Sequence, residues 1–425
     1  MTATTQAGGT LRRELGVFGA TVLGLGSIIG TGVFVSIGIG SEIAGPAVLL
    51  AIAMGGCLAV CNALSSAQLA ANHPASGGTY EYGHRYLTPT LGFAAGWMFL
   101  AAKSASAAAA ALGFAGYTLA LAGAAESRAG AWIGAGAVVA MTALVLGGVR
   151  RSNLVNVVIV SATLGSLLFF VLSGLPRIDD ASRFRPFFGG SGGIVPGLPE
   201  ACALMFVAYT GYGRIATMGE EVREPRRTIP RAIITTLVIS MTLYLCVGLV
   251  GVGTDGSFGS GAAPLSGMAA GFGVPGVAQV VAVGAIAAML GVLLNLLLGL
   301  SRVVLAMGRR GDLPAVFARV NRAGTTPAPA VLLVGGIILG LTAIGSVRLA
   351  WSFSAFTVLV YYAITNVAAL RLSRAERLYH PAVAWAGLAG CLSLAFWVEP
   401  RAWVAGLAVL GLIIGKARTG ERPGP

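Results

Sequence analysis

Gly24-Leu25-Gly26-Ser27-Ile28-Ile29-Gly30-Thr31-Gly32 sits in the middle of the chain's first long apolar run, residues 16–40. The run is long enough for a helix to cross a bilayer, which takes about 20 apolar residues. Glycine at four of these nine positions disfavours a continuous helix, because glycine loses the most backbone freedom on ordering. The expected structure is a membrane-crossing helix broken near its middle. A dinucleotide-binding loop is excluded. The glycines fall at 24, 26 and 30 rather than 24, 26 and 29, and they lie within an apolar span.

Working outward, twelve spans are expected near 16–40, 45–71, 91–122, 130–149, 153–174, 197–219, 230–252, 275–306, 327–346, 349–370, 380–398 and 400–416. Of the 425 residues, 56% are hydrophobic and 10% charged. A soluble domain carries about 25% charged residues, so the bilayer must supply the burial here. The fold class is therefore an all-α polytopic membrane protein with 12 transmembrane helices in a single domain, residues 1–425. Its expected parts are an N-terminal tail (1–15), a first repeat (16–174), a second repeat (197–370), two extra C-terminal helices (380–416) and a C-terminal tail (417–425).

Orientation follows from Lys and Arg, which favour cytoplasmic loops. With the N-terminus inside, twenty of the 28 basic residues fall inside and six outside, while Lys103 and Arg214 lie within spans. Both termini are thus expected to be cytoplasmic, in a plasma or inner cell membrane. The net charge of +13 reports this topology and attraction to anionic lipid, and no nucleic-acid partner is expected. Cys57, Cys61, Cys202, Cys246 and Cys391 show no metal-ligand spacing and are expected to be buried small hydrophobes. The first apolar run is too long for a signal-peptide core.

A second run is also interrupted: Phe206-Val207-Ala208-Tyr209-Thr210-Gly211-Tyr212-Gly213-Arg214. It lies five spans after the first, and an odd separation puts the two in opposite orientations. Paired interrupted spans in two inverted halves point to a transporter's binding site. Broken helices expose backbone groups at membrane depth, which is tolerated only where they line a cavity. The half-helix resuming after Gly30 begins with free N–H donors and a positive dipole end, suited to a carboxylate. The carbonyls ending the preceding half-helix suit an ammonium. The alternative is that these glycines only let helices pack closely.

Several stretches resemble the amino acid–polyamine–organocation (APC) permeases. Gly26 to Phe34 resembles their first-span motif, and Pro74-Ala75-Ser76-Gly77-Gly78-Thr79-Tyr80 their loop after span two. Phe206 to Tyr212, with Glu220 to Arg231, is similar to their sixth span and following loop. Ser301-Arg302 and Gly311-Asp312-Leu313-Pro314 are similar to the end of their eighth span. The resemblance implies an inverted five-plus-five repeat with broken helices 1 and 6, alternating access, and an amino acid or related amine as substrate. It implies that the carboxylate lies against Gly30, Thr31 and Gly32. The ammonium would face carbonyls of Ile28, Val207, Ala208 and Thr210, and the side chains of Phe206, Val207 and Tyr209 would shape the pocket.

Three departures from the family matter. A lysine that many proton-coupled members carry in span five falls on Thr163. An acidic residue of some cationic amino acid exchangers falls on Gly213, followed by Arg214, which favours a neutral over a cationic substrate. The gate position of some exchangers falls on the small Val207. Lys103, deep in span three, is costly in a membrane and is expected to face the interior with a role. It is either a replacement proton switch or a static tether to helix-end carbonyls. Arg214 is a candidate to pair with Glu220 or Glu221 or with a substrate group, and Asn295 to hydrogen-bond the first break or to bridge helices. Thr163 and Ser161 are candidates for a sodium site with span-one carbonyls. The loop 220–231 is expected to clamp the cytoplasmic end, with His73 and Glu81 as partners.

No cofactor is expected beyond a coupling ion, a proton or sodium. No nucleotide loop, metal cluster or nucleophile–base pair appears, so the chain is not expected to be an enzyme. A channel would show a filter or acidic rings, which are absent. The expected function is secondary transport of neutral amino acids. Alternatives are an exporter or exchanger, a cationic amino acid or amine permease, and a non-transporting sensor of transporter descent. The oligomeric state is left open.

Overall fold

The structure is a computed structural model that describes residues 15–74, 77–124, 129–148, 153–188, 194–217, 222–255, 261, 263–321 and 326–419. Among these residues the chain is helical, apart from one isolated bridge between Leu15 and Val222. The first expected span is built from α1 (Val17–Ile28) and α2 (Ile37–Ala44), and α3 (Val48–Asn72) is the second. After a short α4 (Thr79–Tyr86) come α5 (Pro89–Leu121), α6 (Gly130–Leu146) and α7 (Asn153–Gly174). The second broken span comprises α8 (Ile194–Tyr209) and α9 (Gly213–Thr217). Then follow α10 (Pro225–Asp255), α11 (Pro264–Ala270), α12 (Val277–Arg310), α13 (Ala328–Ala343), α14 (Val347–Leu370), α15 (Pro381–Leu394) and α16 (Pro400–Thr419).

Each expected apolar run coincides with a helix or a broken pair. Among the described residues, six segments are long and apolar enough to cross a membrane: Val17–Asn72, Pro89–Leu121, Leu154–Arg177, Pro225–Thr254, Val277–Arg310 and Val347–Leu370. Four shorter apolar helices accompany them, Gly130–Leu146, Ala328–Ala343, Pro381–Leu394 and Pro400–Gly415. The short helices α4 and α11 have no counterpart among the expected elements. Seven or eight residues make no span-length apolar run, and α4 is largely polar.

At the centre stands α5, which packs most extensively against α14 and α12. Its run Ala105 to Ala111 is buried throughout, broken only by Ser106, which is itself buried. Small side chains let helix backbones approach closely, and close packing is what drives helix association where lipid offers no hydrophobic contrast. The perimeter is the reverse. Trp132 on α6 is 82% exposed, and Leu154, Leu172, Trp385 and Leu412 are exposed on α7, α15 and α16. Such a surface would drive aggregation in water, whereas in a bilayer it is the ordinary lipid-facing side. Of the cysteines only Cys202 and Cys391 are buried. Cys57 is exposed on this apolar outer surface, and Cys61 and Cys246 are half-buried, which corrects the expectation for those three.

Candidate functional site

The first break is short. Helix α1 ends at Ile28, and Ile29 turns extended while its N–H still donates to the Leu25 carbonyl at 2.8 Å. The chain resumes through a π-helical turn, Gly32–Ser36, with the Gly30 carbonyl accepting from both Val33 and Phe34 N–H groups at 3.1 Å. Such π turns are frequent at functional sites because they leave backbone groups out of the regular ladder. The second break is a 3-10 turn, Thr210–Tyr212, between α8 and α9.

The two breaks touch. Gly211 lies so close to the Ser27 carbonyl that a Cβ there would collide with it. A Cβ on Gly32 would stand 2.8 Å from both the Ala208 Cβ and the Tyr244 hydroxyl. Glycine at 211 and 32 is what permits this contact. The Tyr244 hydroxyl on α10 joins the breaks from the side, 2.9 Å from the Ile28 carbonyl and 3.3 Å from that of Ala208.

Beside the junction lies a cavity of about 90 Å³. From α1 and the first break, Ser27, Ile28, Thr31 and Gly32 line it, and from the second broken span Val207, Ala208, Thr210, Gly211, Gly213 and Arg214. Helix α5 contributes Phe99, Lys103 and Ser106, one face at helical spacing. Helix α12 contributes a stripe running from Val292 through Asn295, Leu296 and Gly299 to Arg302 and Val303, and Trp351 comes from α14. No Asp, Glu or His is among the lining residues.

Lys103, 7% exposed, donates to the Thr210 hydroxyl at 2.7 Å, and its Nζ stands 3.5 Å from the Thr210 carbonyl. The Thr210 hydroxyl gives its own proton to the Val207 carbonyl at 2.7 Å. The Thr31 hydroxyl is buried and has no hydrogen-bond partner among the described residues. Asn295 Nδ2 stands 3.5 Å from the Gly26 carbonyl of α1. Arg214 lines the cavity and its Nη1 packs over Gly299. Glu220 and Glu221, considered as its partners, lie outside the described residues.

Several expected residues are placed elsewhere. Phe206 meets Tyr362 edge to face, ring centroids 5.7 Å apart, and Tyr209 lies tilted against Tyr244 at 5.0 Å. Neither lines the cavity: from this span Val207, Ala208, Thr210, Gly211, Gly213 and Arg214 do, and the rings of Phe206 and Tyr209 are turned to Tyr362 and Tyr244. Gly30 packs against Val292 instead. Thr163 is also away from the cavity. Its hydroxyl donates to the Ile159 carbonyl on its own helix, and Ser161 is exposed on another face of α7. The clamp at the end of the sixth span uses different partners from those expected. The Arg223 N–H donates to the Leu15 carbonyl at 2.9 Å and Arg226 reaches Asn72 at 3.3 Å, whereas Glu81 pairs with Arg310.

Tyr244, Phe99, Ser106, Trp351 and the α12 stripe had not been singled out. Stepping by three and four residues from Lys103 and Asn295 finds most of them.

A family model for amino acid permeases matches residues 19–412. The chain belongs to the amino acid permease family. This permease, of the APC superfamily, is therefore an integral membrane transporter and not an enzyme. It is 41% identical over 415 residues to an uncharacterized transporter of Mycobacterium tuberculosis, covering 97% of this chain and 92% of that protein. The methylthioribose transporter of Bacillus subtilis is 33% identical over 352 residues, 78% of this chain and 75% of that one. The branched-chain amino acid permease of the same organism is 30% identical over 353 residues, with the same shares. The fold is similar to that of MhsT, crystallised in complex with L-phenylalanine. The TM-score is 0.60 and the identity 16%, over 96% of this chain and all of the other.

Proposed function

We propose that this permease is a secondary active transporter that carries amino acids with neutral side chains across a plasma or inner cell membrane by alternating access. The observation that carries the proposal is the junction of the two breaks, where Gly211 meets the Ser27 carbonyl beside a cavity onto which the buried Thr31 hydroxyl opens. The substrate carboxylate takes the N–H groups of Gly30, Thr31 and Gly32, with the Thr31 hydroxyl, at the positive end of the resumed half-helix. The ammonium takes carbonyls of Ile28, Val207, Ala208 and Thr210. Those carbonyls already accept protein hydroxyls, but each has a second lone pair. Phe99, Val207, Val292 and Trp351 offer apolar contacts to the side chain. Lys103, Arg214 and Arg302 in a lining without carboxylates disfavour a cationic side chain.

The surrounding architecture in this proposal has twelve crossings, residues 16–174 and 197–370 as inverted five-helix repeats, α15 and α16 as additions, and both termini cytoplasmic. Lys103 is the proposed coupling group and a proton the proposed ion. The exposed Ser161, and Thr163 standing away from the cavity, favour the proton over the sodium alternative.

The test is uptake of each labelled proteinogenic amino acid into proteoliposomes holding the purified permease, with and without a pH gradient. Saturable uptake of neutral amino acids is expected. No movement of any amino acid in either direction would sink the proposal.

A further inference from the structure

We propose that the Lys103 ammonium stands in for the substrate's α-ammonium in the empty carrier, an inference that rests on reading the cavity as an amino-acid site. Substrate and the lysine's proton then occupy the site in turn, and the permease is a proton/amino acid antiporter.

The donor and acceptor bookkeeping at Thr210 carries this. Its hydroxyl has one proton, which goes to the Val207 carbonyl. What it presents to Lys103 at 2.7 Å is a lone pair, so the lysine is the donor. The second group beside Nζ, at 3.5 Å, is the Thr210 carbonyl, one of those assigned to the substrate ammonium. Both acceptors lie just past the last residue of α8, at the negative end of its dipole. A buried amine placed there makes the contacts that an α-ammonium would make. Had Lys103 been the counter-ion of the carboxylate, its bonds would be expected near Gly30, Thr31 and Gly32. Both go to Thr210 instead.

Two ammonium ions cannot share one threonine in a site that excludes water, because their repulsion is little screened there. The Lys103 stem is buried in α5, the most buried of the six long apolar spans among the described residues, so it has little room to swing aside. When substrate arrives, Lys103 therefore gives its proton to water on the side the cavity faces. After substrate leaves, it takes a proton from the other side. One proton moves against each amino acid per cycle. Among the described residues, the other titratable groups at the site are Arg214 on α9, Arg302 on α12, Tyr244 on α10, whose hydroxyl is 2.9 Å from the Ile28 carbonyl, and Tyr362 on α14, whose hydroxyl is 3.4 Å from the Thr210 carbonyl. The other helices packed on α5, namely α4, α6, α13 and α16, put no titratable group in the lining.

The test uses the purified permease in proteoliposomes and the labelled proteinogenic amino acids as probes. For the wild type, an inside-acid gradient should raise uptake about threefold or more, and an outside-acid gradient should suppress it. Lys103→Met keeps the stem and removes the charge. It should bind the transported amino acids about tenfold more tightly by scintillation proximity, and its uptake should ignore the gradient. Stimulation of the wild type by outside acid overturns the inference, and that measurement needs no variant to fold. Equal or weaker binding by monodisperse Lys103→Met also overturns it. If the wild type neither binds nor moves any amino acid, the permease site itself has been misread, an outcome distinct from either of the others.

Discussion

Gly211 rests directly on the backbone carbonyl of Ser27, so that the two interrupted spans meet backbone to backbone with no side chain between them. The Ser27 carbonyl lies one residue before the end of α1, and Gly211 is the middle of the 3-10 turn after α8.

Gly211→Ala should therefore force the breaks apart. Its neighbour is backbone, which cannot turn away as a flexible side chain does, and overpacking of this kind costs about 1–3 kcal/mol. The expected outcome is a folded protein with a lowered Tm and uptake reduced by about tenfold or more, since 1.4 kcal/mol at the site is a factor of ten. Gly136→Ala is the control, as nothing lies within 4 Å of its added methyl. Equal uptake by the two variants would show that the junction has no part in transport.

Tyr244→Phe tests the bridge from α10. The hydroxyl at 2.9 Å from Ile28 and 3.3 Å from Ala208 is lost, while the ring contact with Tyr209 remains. A buried carbonyl left without a donor costs about 1–3 kcal/mol. The permease should still fold, and its KM should change by about tenfold because the freed carbonyls are among those proposed to hold the substrate ammonium. KM is read from initial uptake rates, with Tm measured in parallel. An unchanged KM with a lowered Tm would make Tyr244 purely structural.

The location of both breaks was legible because glycine in an apolar run is a local cost that needs no tertiary context. Lys103 was legible for the same reason, as a lone charge in the bilayer. The phase of the second broken span was not. The resemblance assigns Phe206 and Tyr209 to the pocket, but both lie in α8 with their rings turned to Tyr362 and Tyr244, while Val207 of the same helix faces the cavity. The α12 stripe was hidden for another reason. A helix apolar all round shows no face in its sequence, and only Asn295 marked the side that looks inward. Tyr244 gave no signal, since one tyrosine in an apolar helix resembles any packing aromatic.

Asn62 and Asn366 form a buried pair between α3 and α14. Asn366 donates to the Asn62 side-chain oxygen at 2.6 Å, and the Cys391 thiol on α15 lies 3.4 Å from the same atom. Asn62→Leu leaves one N–H of the Asn366 amide without its acceptor while the group still donates to the Tyr362 carbonyl at 2.9 Å, at a cost of about 1–3 kcal/mol, whereas replacing both partners by apolar groups is close to neutral. The single variant should therefore lower Tm by several degrees, and Asn62→Leu with Asn366→Leu should recover most of that loss. A double variant less stable than the single would show that the pair is not acting as a unit.

His73 sits where α3 ends, outside the spanning segments, with its N–H on the Leu69 carbonyl at 2.8 Å. Burial holds its pKa below the ordinary 6.5. Arg85 and Arg310 push it the same way, and Glu81 pushes it up. A group with a lowered folded pKa binds its proton more readily when unfolded. Its contribution to stability is then complete above the unfolded value and is lost as pH falls from about 6.5 to the lower folded value. Tm of the detergent-purified permease should fall on acidification through that window, and His73→Gln should flatten that part of the profile. Glu81→Gln removes the one neighbour that favours the imidazolium, so it should widen the window downward and deepen the loss. A profile identical in wild type and His73→Gln would assign the acid sensitivity to another group.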